Sequence, residues 1–122
     1  MYGRYRRRRT ERNIGIDPTQ IRVALHNLFR DVVAWSEFNT YSLDEQAARL
    51  HHLLTWIHPF PDGNGRTSRA MADLFLASRG ATVFSWGANS GLPPHEIRAR
   101  YLAAVRAADA HDLGPLLAFV RA

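Results

Sequence analysis

Between His58 and Arg69 the chain reads His58-Pro59-Phe60-Pro61-Asp62-Gly63-Asn64-Gly65-Arg66-Thr67-Ser68-Arg69. An imidazole accepts a proton near neutral pH more readily than any other side chain, so His58 is a candidate base. Asp62 is a hard oxygen ligand of the kind Mg2+ takes alongside substrate phosphates. Gly63 and Gly65 carry no side chain to obstruct an anion. With Asn64 they precede a helical run that the sequence starts near Arg66. The unpaired N–H groups and positive dipole end of such a run favour negative charge. Arg66 and Arg69 share one face of the first turn, where two guanidiniums suit bidentate contact with outer phosphate oxygens. Phe60 carries no chemistry and is expected to point into the core and pin the loop. Each feature alone has a plainer explanation: a turn, a structural histidine, a solvated basic face. Together, at these spacings, they favour a loop that grips a phosphate chain beside a base.

Such a site needs one helix to deliver the imidazole and another to present the N–H groups. Ser42, with Glu45 three residues later, forms a capping-box pattern. A helix from about 43 to 57 follows, with Ala47, Leu50, Leu54 and Ile57 on one face and Leu43 and Leu53 beside it, and delivers His58 at its end. Beyond the bend, Ala70, Met71, Leu74 and Phe75 keep a helical period, and Gly80 suits a C-cap. Ala72, Leu76 and Ala77 are apolar off that stripe, so this helix is expected to be central.

Asp17-Pro18-Thr19 opens an earlier helix to about residue 38, with Ile21, Ala24, Leu25, Leu28, Val32 and Trp35 as its stripe. Residues 81–92 form a connection in which Trp86 reads as a core plug in preference to an adenine-stacking wall. Pro93-Pro94 opens a helix to about residue 108, and Asp112 or Gly114-Pro115 opens the last. Near the N-terminus, Arg6 to Arg9 read as a solvated basic arm, and the alternation of Ile14 and Ile16 after Asn13 fits a short hairpin. Helices in series without a βαβ repeat indicate an all-α fold. A metal pair of His51 with His58 is conceivable, but a structural role for His51 and His52 is favoured.

The 122 residues, 46% of them hydrophobic, suit one domain with one core. With no cysteine, a disulfide framework and a thiolate metal site are excluded, which fits a cytoplasmic location. No apolar run approaches the ~18 residues of a membrane span, and the start lacks an apolar signal region, so no membrane partner is expected. All 16 basic side chains are Arg, which removes any lysine chemistry. The net charge of +5 owes much to Arg6–Arg9, so a specific nucleic-acid partner is not expected either.

The stretch at 58–69 resembles the signature of Fic proteins, His-x-Phe-x-Asp/Glu-Gly-Asn-Gly-Arg-x-x-Arg, matching it at every defined position. The resemblance implies an all-α, Fic-type helical bundle with a short β-hairpin flap near the N-terminus, forming a single domain over residues 1–122. It implies a protein adenylyltransferase, moving AMP from ATP to a hydroxyl side chain of a target protein. By that resemblance His58 is the base on the target hydroxyl and Asp62 holds Mg2+. Gly63, Asn64 and Gly65 form the anion hole for the transferred phosphate, and Arg66 and Arg69 bind the remaining phosphates. The Doc-like kinase branch carries a Lys where this chain has Gly65, so nucleotidyl transfer is implied over phosphoryl transfer. Fic proteins introduce the flap with a pattern like Gly3-Arg4-Tyr5-Arg6 and dock the target on it by strand pairing. Arg9, Thr10, Glu11, Arg12 and Asn13 would then touch the target. The runs Asn13–Pro18, Phe84–Gly87 and Ala107–Ala110 are similar to the "mobile mystery protein B" branch. Family members carry helices ahead of the flap, whereas this chain starts almost at it, so those helices are expected to be missing. The family's inhibitory string, Ser/Thr-x-x-x-Glu-Gly/Asn, does not occur. A separate antitoxin chain in a bacterial toxin–antitoxin pair is therefore implied as inhibitor, unless silencing was lost with the missing helices.

Other readings stay open at this point. A catalytically impaired Fic fold could bind a nucleotide or a protein without chemistry. The same scaffold could run another phosphate transfer or remove AMP.

Overall fold

The computed structural model describes residues 5–8 and 15–122. The expected flap residues Arg9, Thr10, Glu11, Arg12 and Asn13 lie outside the described residues. The described chain is built from helices, with no strand among the described residues. A 3-10 turn at Pro18–Gln20 leads into α1 (Ile21–Phe38), followed by α2 (Leu43–Ile57), α3 (Asn64–Ser78), α4 (Pro94–Asp109) and α5 (Gly114–Val120).

The ends follow from local chemistry. The Asp17 carboxylate accepts from the Thr19 N–H at 2.9 Å and Pro18 takes the first helical position, where its missing N–H costs nothing. Asn39 ends α1 in the left-handed region, with φ 51°. The Ser42 hydroxyl accepts from the Glu45 N–H at 3.2 Å, as the capping pattern requires. Glu45 does not reach back to close the box; its carboxylate pairs with Arg49 one turn on, at 3.0 Å.

The core is organised around α2, which packs against α1, α3, α4 and α5. Ala47 and Ala48 are fully buried, and small side chains there let neighbouring helices approach closely. This corrects the expectation that α3 is central: α3 packs chiefly on α2. The buried face of α3 is also turned from the expected one. Asn64, Ser68, Ala72, Phe75 and Leu76 face inward, while Leu74 is 64% exposed. Ser68 tolerates burial because its hydroxyl donates to the Gly65 carbonyl at 3.0 Å. Trp86 packs on Phe84 and His51, and its indole N–H donates to Asp73, so it acts as the expected core plug. Residues 84–86 are fixed to the end of α5, where the Ser85 and Trp86 N–H groups both donate to the Val120 carbonyl.

Candidate active site

His58 sits where α2 stops. Its N–H still donates to Leu54 at 2.9 Å, but its own backbone has turned left-handed, with φ 52° and ψ 62°. For a residue with a Cβ this conformation is strained and needs support from its surroundings. That support comes from the N-terminal arm. Arg6, read as solvated from the sequence, is 5% exposed. Its Nε donates to the His58 carbonyl, and one terminal nitrogen donates to Ile16 and, at 3.1 Å, to Ile57. The other donates to the Arg8 carbonyl at 3.2 Å, and the Arg6 N–H donates to Pro59 at 2.7 Å. A guanidinium at the C-terminal end of a helix also complements the helix dipole. The His58 imidazole is half-buried, and burial first, then the nearby Arg6 charge, hold its pKa below the ordinary value. A lowered pKa favours the neutral ring, the form that can accept a proton.

The loop after His58 is closed by an amide pair. The Asn64 side-chain oxygen accepts from the Phe60 N–H at 2.9 Å, and its nitrogen donates to the Phe60 carbonyl at 2.8 Å. Asn64 is thus buried and its side chain faces the loop, not a ligand. Phe60 is only partly buried and meets Tyr5 of the arm at 6.1 Å between ring centroids, so it pins the loop to the arm and not to the core as expected.

Gly63, at φ 71°, ends the loop and starts α3 at Asn64, two residues before the expected start. No side chain caps this helix, and its first backbone bond runs from Thr67 N–H to Gly63 at 2.9 Å. The N–H groups of Asn64, Gly65 and Arg66 precede that bond and form the open helix end. Arg66 projects into solvent, while Arg69 is half-buried over Gly65 and beside Tyr101 of α4. Burial raises the Tyr101 pKa, and Arg69 opposes that shift. The Tyr101 hydroxyl also meets His51 Nε2 at 2.9 Å. His51 is fully buried, and burial lowers its pKa to about 4.

Asp62 lies exposed in the loop. Among the described residues no three or more His, Asp or Glu side chains gather into a metal site. A lone carboxylate next to an anion-attracting helix end fits Mg2+ carried in on a polyphosphate, which needs few protein ligands. The structure thus brings His58, Asp62, Gly63, Asn64, Gly65, Arg66 and Arg69 to one loop and the helix tip it feeds. Sequence reasoning passed over Arg6, Gly15 and Tyr101. Arg6 was hidden inside a run of four arginines, and Tyr101 lies far along the chain with no local pattern around it.

Comparison with known proteins places this arrangement. Residues 1–76 match the model of the Fic/DOC family. The chain belongs to that family. It is 36% identical over 98 residues to protein adenylyltransferase fic-1 of Caenorhabditis elegans, covering 75% of this chain and 17% of that protein. It is 34% identical over 74 residues to protein adenylyltransferase Fic of Drosophila melanogaster, covering 61% of this chain and 14% of that one. The chain therefore spans only a small part of these relatives. Among solved structures, C. elegans Fic-1 superposes with a TM-score of 0.70 at 29% identity, over 98% of this chain and 33% of that one. A Fic-domain signaling protein from Bacteroides thetaiotaomicron superposes with a TM-score of 0.80 at 20% identity, over 98% and 50% of the two chains, which supports the helical fold. No helix among the described residues is long and apolar enough to cross a membrane.

Proposed function

We propose that this chain transfers AMP from ATP to a hydroxyl side chain of a target protein, in the cytoplasm and under the control of a separate inhibitory chain. One observation carries the reading: a half-buried imidazole, its pKa lowered by burial and the Arg6 charge, and an uncapped helix end are joined by a single closed loop. The names of its relatives point to the same reaction. His58 takes the proton of the target hydroxyl, whose oxygen attacks the α-phosphorus of ATP. The bond from that phosphorus to the bridging oxygen breaks, and pyrophosphate leaves. The N–H groups of Asn64, Gly65 and Arg66 stabilise the added negative charge, and Arg66 and Arg69 hold the outer phosphates. Bound Mg2+, held by Asp62, would neutralise charge on the phosphate chain. The similarity of Phe84–Gly87 and Ala107–Ala110 to the "mobile mystery protein B" branch supports placing the chain there.

General base catalysis contributes ~100- to 10,000-fold, so His58→Ala should lose nearly all transfer of label from α-labelled ATP to protein in a lysate. Label from γ-labelled ATP should not transfer. Binding of ATP with no labelled protein would instead support a binding module, and transfer of γ-label would support a kinase.

A further inference from the structure

His58 has to keep a left-handed backbone and a fixed ring direction, and the bond from its N–H to Leu54 does not fix the ring. Three parts of the chain meet behind it. Arg6 donates to the carbonyls of Ile57 and His58, the last two at the end of α2, and to Ile16. Gly15, at φ 90°, lies against the same group: a Cβ built there would stand 2.6 Å from the Arg6 guanidinium, 2.7 Å from the His58 Cβ and 3.1 Å from the Ile57 carbonyl. The contact with the His58 Cβ is the telling one, because that atom sets where the imidazole points. The Ile57 carbonyl is backbone and cannot step aside. Residue 15 must therefore be glycine both for its positive φ and for space.

Arg6 is 5% exposed and its side-chain donors meet the backbone carbonyls of Arg8, Ile16, Ile57 and His58. A buried guanidinium is retained at high cost when its donors are unsatisfied, and here the carbonyls satisfy them. A lysine could not replace it. Its ammonium has three donors on one atom and cannot span carbonyls that lie on different sides of a planar fork.

We propose that Arg6 and Gly15 are positioning residues for the base: together they lock the left-handed turn at His58 and aim its imidazole at the site. The inference deepens the adenylyltransferase reading and rests on it for its kinetic arm. The arm is then part of the catalytic apparatus, because the chain on either side of residues 9–14 is anchored to the backbone of the base.

Two measurements test this on the full chain. The first is NMR titration of the His58 ring in ligand-free protein, its signal assigned by its loss in His58→Ala. Burial first, and then the Arg6 charge, lowers the pKa of this ring, and both depend on where the arm holds it. Arg6→Lys and Gly15→Ala should move the His58 midpoint upward, toward the ordinary imidazole value, with the Tyr101–His51 signals unchanged. The second is kinetic: both variants should lose on the order of 100-fold in kcat with KM for ATP within about twofold, since both residues contact the end of α2 at His58. Gly15→Ala keeps every charge, and Arg6→Lys keeps the cation, so unchanged His51 signals certify a folded protein. An unshifted His58 midpoint together with kcat within about threefold of wild type in either folded variant would overturn the proposal. If the wild-type chain transfers no AMP, the adenylyltransferase reading fails, while the titration still decides whether Arg6 and Gly15 hold the imidazole.

Discussion

Gly65 marks how little room the phosphate end of the site leaves. A Cβ there would stand 3.3 Å from the nearest Arg69 nitrogen, so the guanidinium beside Tyr101 would have to give by a few tenths of an ångström. Gly65 lies inside α3, and its φ is not left-handed, so alanine suits the backbone and should stabilise the fold by about 0.4–1 kcal/mol. Gly65→Ala should therefore raise Tm slightly while weakening ATP binding about tenfold, a loss of about 1.4 kcal/mol readable by calorimetry. His51 supplies a second residue-scale test. Its pKa is lowered to about 4 from 6.5, chiefly by burial. Above pH 6.5 neither the folded nor the unfolded chain protonates it. As pH falls from 6.5 toward 4 the unfolded chain takes up a proton that the folded chain refuses, so stability is lost across that window, by up to about 3 kcal/mol. Urea unfolding between pH 7.5 and 4.5 should show this fall, and His51→Gln should flatten it. The signature residues were legible because they lie within one short stretch. The supports of the two reactive ends, Arg6 with Gly15 and Tyr101 with His51, meet only through the fold, and no local pattern announces them.

At the scale of elements, the sequence placed α2 at Leu43–Ile57 correctly because capping chemistry marks its start and the signature its end. It misjudged the rotation of α3. Leu74 and Met71 outweigh Ala72 and Ser68 in any hydrophobic count, yet Ala72 and Ser68 are buried and Leu74 stays outside. Shape complementarity, not hydrophobicity, sets the phase there. The join between α1 and α2 depends on a polar contact. Gln46 is 1% exposed, and its amide donates to the carbonyls of Tyr41 at 2.9 Å and Trp35 at 3.3 Å. Gln46→Leu keeps the volume but strands the Tyr41 carbonyl, while the Trp35 carbonyl keeps the Asn39 and Thr40 N–H groups, so it should cost about 1–3 kcal/mol in urea unfolding. A cost near zero would mean that water or a backbone shift satisfies the Tyr41 carbonyl.

The whole molecule is a Fic-type helical bundle in which α2 carries His58 on one end and, through Asp44, is clamped to the chain's last residues. Arg121 forks onto both Asp44 oxygens at 2.7 and 2.9 Å and also donates to the carbonyls of Thr82 and Val83. The bundle and its loop make up a small share of the relatives that carry the adenylyltransferase name. The proposed transfer requires that this share be enough for chemistry, with an imidazole, an open helix end and two arginines on one loop moving AMP. Mass spectrometry of a cell lysate incubated with the chain, ATP and Mg2+ reads this out. One protein should gain the mass of a single AMP group on a hydroxyl side chain, with no gain when His58→Ala is used. A gain of phosphate alone, or an AMP adduct that persists in His58→Ala, would contradict it.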